Sequence, residues 1–152
     1  MMKKTMFFLL LTILVIPIFS TAQDSGFGLG IIVGEPTGFS FKSWVSERGA
    51  VDFAVAWSFG NEDALHVHVD YLFHNFSLFN VEKGDLVLYY GIGGRVKAEK
   101  KSRLGVRIPI GVSYLFENDP FEIFFELGPV MDLSPKTDLW IGGGIGFRYY
   151  FD

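Results

Sequence analysis

The last stretch of the chain, Leu139 to Phe151, narrows the choice of fold more than any other. Its odd positions read Leu139, Ile141, Gly143, Ile145, Phe147, Tyr149 and Phe151. Its even positions read Trp140, Gly142, Gly144, Gly146, Arg148 and Tyr150. Side chains of a strand alternate between faces, so this is one strand with two unlike faces. One face is an apolar stripe that ends in aromatics, and the other is mostly glycine with an arginine among it. A strand of a soluble sheet buries its apolar face and turns its polar face to water. Here the second face is too small and too charged to build a core, while the first carries bulk almost throughout. That combination fits a strand whose apolar face meets lipid and whose small, polar face lines a narrow lumen. The length agrees, because a membrane-crossing strand needs about 9–11 tilted residues.

The other end of the chain points to export. Met1-Met2-Lys3-Lys4 precedes an apolar run from Met6 to Phe19, followed by Ser20-Thr21-Ala22. A basic start, an apolar run of about 14 residues and a small-x-small end make a signal peptide over residues 1–22. The run is short against the roughly 20 residues of a spanning helix. No cysteine follows it, which excludes a lipoprotein signal. The mature chain, 23–152, is expected to form one domain. Loss of Lys3 and Lys4 takes the formal net charge from −4 to −6, which argues against a nucleic-acid partner. With no cysteine at all, an exported domain of this size must be stable without disulfides. The full sequence has 17 phenylalanines and 18 glycines, a composition that suits strands and turns better than helices.

The alternation recurs along the mature chain. It appears around Phe27–Val33, Phe39–Trp44, Val51–Phe59, Leu65–Phe73, Leu86–Arg95, Arg103–Tyr114 and Phe121–Gly128 before the final strand. Eight strands with mostly short connections predict an all-β, antiparallel up-and-down meander closed into a transmembrane barrel, since closure removes the edge strands. No sustained helical periodicity interrupts it. With both termini at one end, residues 74–85 form a long link on their side. The loops on the far side, 34–38, 60–64, 97–102 and 131–137, are short.

A soluble barrel with an apolar interior is the rival, and side-chain volume decides against it. One face of every strand carries Leu, Ile, Val, Phe or Tyr, and eight such stripes would crowd a narrow interior. The other face collects Lys42, Asp52, His66, His68, Asp70, Arg95, Arg103, Arg107, Glu122, Glu126 and Arg148 among glycines and alanines. A small barrel has an interior just wide enough for its own side chains to fill. The near-balance of signs predicts a cross-lumen network of Arg–carboxylate pairs. Arg107 and Arg148 are expected near its centre, in space left by Gly105, Gly111, Gly144 and Gly146.

On strand number, inward charges and an aromatic last strand, residues 26–151 resemble the small eight-stranded outer-membrane barrels of the OmpA/OmpX type. The resemblance implies a bacterial outer-membrane location, contact with outer-membrane lipid and a monomer. It implies a role that is structural or interactive rather than enzymatic. It also places an assembly signal, read by the barrel-assembly machinery, at Tyr149 and Phe151. In that family the aromatic is usually the final residue, whereas Asp152 follows it here.

Three patterns suggest other chemistry. His66-x-His68-x-Asp70 sets three ligand types on one strand face, and two histidines with a carboxylate can hold zinc. No second cluster of ligand spacing accompanies it, so the preferred reading is membership of the lumen network, with no metal or cofactor. Ser77 and His74 would suit a lipid-modifying barrel enzyme, but no nucleophile-elbow pattern surrounds them. The glycine runs at 91–94 and 142–146 lack the following helix that a phosphate cradle needs. A narrow pore, or a carrier for a small apolar ligand, is the alternative to a plugged barrel. Trp57, Phe59, Tyr71, Tyr114, Tyr149 and Phe151 are placed to form aromatic girdles at the membrane interfaces.

Overall fold

Apolar residues alternating with small or polar ones give strands along nearly the whole described chain. The computed structural model describes residues 26–59 and 63–151. The signal-peptide reading of residues 1–22, the turn residues Gly60, Asn61 and Glu62, and the terminal Asp152 lie outside the described residues. The strands are β1 (Phe27–Glu35), β2 (Thr37–Trp44), β3 (Gly49–Phe59), β4 (Asp63–Asn75), β5 (Asp85–Ala98), β6 (Arg103–Arg107), β7 (Ile110–Leu115), β8 (Phe121–Ser134) and β9 (Asp138–Phe151). All pairings are antiparallel. They join sequence neighbours, except that β5 also pairs with β7 and β6 with β8, and that β1 pairs with β9 to close the ring. The seam runs from Phe27 opposite Phe151 to Glu35 opposite Gly143.

The ring has eight places, and β6 and β7 share one of them. Sequence alternation reads Arg103 to Tyr114 as a single strand, but the ladder is interrupted at Ile108-Pro109. Proline has no N–H to donate there. The register is unbroken across the gap. Arg107 faces Gly93 and Ile110 faces Tyr90 on β5, while Arg107 faces Val130 and Ile110 faces Leu127 on β8. Ile108 N still donates to Pro129 O at 2.9 Å, and Gly91 N to Pro109 O at 3.0 Å.

Two boundaries differ from the sequence expectation. β8 continues to Ser134, through residues assigned to a loop from 131, because Met131 and Leu133 keep facing outward while Val130 and Asp132 face in. β4 runs to Asn75, held by pairing of Asn75 with Leu88 and by His74 N donating to Arg48 O at 2.8 Å. The irregular link is therefore 76–84. It turns into β5 at Gly84, whose φ of 68° favours a residue without Cβ.

The two surfaces of the barrel are the reverse of a soluble protein's. Among the described residues, thirteen polar or charged residues are buried against nine apolar ones, four of which are alanines. The exposed side chains include Ile31, Ile92, Ile123, Ile141 and Ile145, the last 60% exposed. The apolar stripe of β9 from Leu139 to Phe151 spans roughly 30 Å at a tilt of about 40°. That covers the ~25 Å apolar band of a membrane barrel. Among the described residues the aromatic girdle is one-sided. Tyr71 packs on Phe73, Tyr114 on Phe116, and Phe121 on Tyr149 and Phe147, all toward the end that carries the termini. Toward the opposite end Trp57 stands with exposed Val33, Leu104, Leu133 and Leu139. The side chain of Phe59 lies outside the described residues.

Candidate functional site

The inward-facing side chains of β2 to β9 converge on the barrel axis as one chain of charges. Lys42 on β2 is fully buried, and its Nζ donates to Glu122 Oε1 at 3.0 Å. Glu122 on β8 also accepts from Arg148 Nη1 at 3.2 Å and from the hydroxyl of Tyr150. Arg148 on β9, 1% exposed, uses every nitrogen of its guanidinium. Nη2 donates to Asp52 Oδ1 at 2.9 Å and Nε to Ser40 Oγ at 2.9 Å. Its plane lies over the ring of Phe124, 3.8 Å from the centroid. A guanidinium that bridges two carboxylates and stacks on an aromatic ring meets each need of a buried arginine.

A second group lies beside the first. Arg107 on β6 donates to Asp70 through Nη1 and to Glu126 through Nη2. The hydroxyl of Tyr89 donates to the other oxygen of Glu126 at 2.7 Å. His68 joins the two groups, with Nε2 at 3.6 Å from both Asp52 Oδ2 and Asp70 Oδ2. A third group sits toward the mouth opposite the termini. Arg95 Nη2 donates to Asp132 Oδ1 at 2.6 Å, and half-buried Arg103 reaches Glu99, Asp132 and Asp138.

The eleven residues expected from the sequence thus sit inside the barrel or at its mouth. The structure joins nine of them in ion pairs, Lys42, Asp52, Asp70, Arg95, Arg103, Arg107, Glu122, Glu126 and Arg148, and sets His68 between Asp52 and Asp70. Arg103 belongs to the mouth rather than to the central network. His66 makes no ion pair. Its ring packs 5.6 Å from that of Trp140, and both ring nitrogens are buried without a hydrogen-bond partner. Sequence reasoning missed Asp132, Tyr89, Tyr150 and Ser40. Asp132 was hidden by the early end given to its strand. The two tyrosines share the inward parity of their strands, but a set drawn from charged side chains and histidines leaves their hydroxyls out.

The packing around the charges also departs from expectation. Gly105, Gly111, Gly144 and Gly146 do not open space for Arg107 and Arg148. A Cβ on Gly128 would meet the Arg107 guanidinium, one on Gly146 the ring of Phe124, one on Gly111 the ring of Tyr89, and one on Gly105 the carboxylate of Asp132.

Ser77 and His74 form no catalytic pair. His74 Nδ1 bonds Arg48 O at 3.1 Å and its ring packs 4.3 Å from that of Trp44, while Ser77 is exposed. Two spaces remain. A void of about 30 Å³ is lined by His66, His68, Arg95, Arg107 and Trp140 among small residues. An open cavity of about 710 Å³ lies at the end carrying the termini, with Trp44, Phe76, Phe116, Phe121 and Tyr150 in its wall.

No family model and no curated protein matches the chain. Among solved structures it is similar to the N-terminal β-barrel domain of Pseudomonas aeruginosa OprF. The TM-score is 0.59 at 13% sequence identity, over 84% of this chain and 96% of that one. The likeness is one of fold: an antiparallel β-barrel of the same extent.

Proposed function

We propose that the chain is an integral outer-membrane β-barrel protein with a structural or interaction role, its lumen closed by its own charged side chains. The carrying observation is the inverted distribution of side chains. Charges fill the inside, and the outside is a continuous belt of Ile, Leu, Val and Phe. A belt on that scale far exceeds the apolar patches of soluble monomers, a few hundred Å². Lipid is the solvent it fits. Export through the leader, outer-membrane lipid as the surrounding partner, and delivery through the barrel-assembly machinery by way of Tyr149 and Phe151 belong to this reading. The absence of catalysis also belongs to it, and it is supported by the use of the inward polar groups in ion pairs rather than in a nucleophile–base pair.

The test is fractionation together with electrical recording. The protein is expected in the outer-membrane fraction, and the purified barrel is expected to give no steady current in planar bilayers. Recovery as a soluble periplasmic protein would overturn the membrane reading, and steady single-channel conductance would replace the plugged barrel by a pore. Altered lipid composition in cells expressing the protein, against cells lacking it, would favour the lipid-modifying alternative.

A further inference from the structure

The central lumen network contains three cations, Lys42, Arg107 and Arg148, and four carboxylates, Asp52, Asp70, Glu122 and Glu126. Counted without His68 it lacks one positive charge, and the shortfall can be located. Lys42 and Arg148 balance Glu122 and Asp52, whereas Arg107 alone faces both Asp70 and Glu126. The surplus falls on the Arg107 group, whose Asp70 is the direct cross-strand partner of Asp52 on β3 and faces the same interior. Like charges directly opposite one another destabilise a sheet unless something positive lies between them.

What lies there is the imidazole of His68, its Nε2 equidistant at 3.6 Å from an oxygen of each aspartate. That nitrogen has no hydrogen-bond partner, and neither has Oδ1 of Asp70, on a residue only 1% exposed. One nitrogen and one oxygen from each aspartate lie within 4.8 Å of one another. Zinc bonds of about 2.0–2.2 Å to such atoms at tetrahedral angles put the ligand atoms roughly 3.4 Å apart. The His68 separations are close to that edge.

We infer that Asp52, His68 and Asp70 form a divalent transition-metal site inside the barrel, of the kind that takes zinc. Asp52 gives Oδ1 to Arg148 and turns Oδ2 toward the site, while Arg107 bonds the Asp70 oxygen that faces His68, Oδ2, and leaves Oδ1 of Asp70 without a partner. Such outer partners orient metal-binding carboxylates. The mixed nitrogen and oxygen donors favour zinc-like ions over calcium or magnesium, which take oxygen ligands. A divalent ion reverses the sign of the charge imbalance without enlarging it. The 30 Å³ void bordered by His66, His68 and Arg107 has room for a water beside the His68 ring, on a side that neither aspartate lines. The motif His66-x-His68-x-Asp70 thus supplies two ligands rather than three. The third comes from the neighbouring strand, which sequence spacing does not display.

The inference rests on the plugged-barrel reading and is tested separately from it. The full barrel is folded from urea into detergent micelles with Zn²⁺ present, passed into metal-free buffer, and its metal content measured. Heat-modifiable migration on a gel reports folding in each sample, so loss of metal is not confused with loss of the barrel. Wild type and His66→Gln are expected to keep about one zinc per barrel, while folded His68→Gln and Asp52→Asn lose it. Cobalt substituted into wild type is expected to give the visible absorption of a low-symmetry, four-coordinate site, which carries the test should Asp52→Asn fail to fold. A folded wild-type barrel without zinc overturns the site and leaves the membrane barrel intact. Zinc retained by His68→Gln, or lost by His66→Gln, overturns the ligand set.

Discussion

Replacing Glu122 by Gln isolates what the lumen network contributes to stability. Glu122 is fully buried and accepts on both oxygens, Lys42 on Oε1 and Arg148 with Tyr150 on Oε2. A glutamine has the same shape but one accepting oxygen. Whichever way its amide is turned, its NH₂ faces a donor. The overall charge of the central network becomes balanced by the change, yet Lys42 is left without a counter-ion. Glu122 is the one carboxylate in ion-pair reach of Lys42 among the described residues. Leaving a buried charge unpaired costs about 3–5 kcal/mol. With a urea dependence of about 2 kcal/mol per molar, the unfolding midpoint falls by roughly 1.5–2.5 M. The control is Glu117→Gln in the exposed turn between β7 and β8, expected to stay within about 0.5 kcal/mol of wild type. Both are measured by tryptophan fluorescence in vesicles of the same lipid. Coincident midpoints for the two variants would mean that water reaches Lys42 and that the lumen is not a dry, ion-paired interior.

The two faces are expected to respond oppositely to polar substitution. Ile145→Arg places a guanidinium on the exposed apolar face of β9 and should cost about 2–4 kcal/mol near the bilayer midplane, whereas Ala54→Ser on the inner face should cost far less. Equal urea midpoints in bilayers would invert the face assignment. Phe151→Ala removes the last aromatic of the stripe, which pairs with Phe27 at the seam and packs 4.8 Å from Tyr149. The folded, heat-modifiable fraction recovered from cells should drop. Unchanged yield would detach the assembly signal from this residue.

Much of the architecture was legible because period-two alternation is a local property. It fixed the strand number, the parity of each strand and the sign of the residues on each face. Where local chemistry broke the pattern, at Pro109, the reading ran through the gap, since the register that continues on both sides is set by β5 and β8. Membership of the lumen set was legible for the same reason, parity. Partners were not. Lys42 and Glu122 are eighty residues apart, and Arg148 and Asp52 ninety-six. Which carboxylate meets which cation depends on the stagger of eight strands, which no single stretch encodes. His68 illustrates the limit. Its spacing to His66 and Asp70 was visible, but the residue that completes its surroundings, Asp52, is brought by strand register.

The glycines give the physical rule that the interior follows. Tyr150 is the direct cross-strand partner of Gly28, Tyr89 of Gly111, Phe124 of Gly146, Asp70 of Gly93 and Asp132 of Gly105. In each pair a Cβ on the glycine would run into the side chain opposite it. A large inward residue therefore lies over a neighbour that has no side chain. A barrel of eight strands has too little width for two bulky groups at one level, so each level is filled from one side. This arrangement leaves room for the Phe124 ring, whose centroid lies 3.8 Å from the Arg148 guanidinium carbon, and for the Tyr89 ring, whose hydroxyl reaches Glu126. The glycine face of β9, which looks at first like a strand with nothing to pack, is the mould that sets the geometry of the charges. β1 does the same at the seam. Gly28 and Gly30 stand opposite Tyr150 and Arg148, so the strand that closes the ring contributes space where β9 contributes charge. Closure and ion pairing therefore depend on one register, and a slip of one residue along the seam would turn Arg148 onto the apolar outer face.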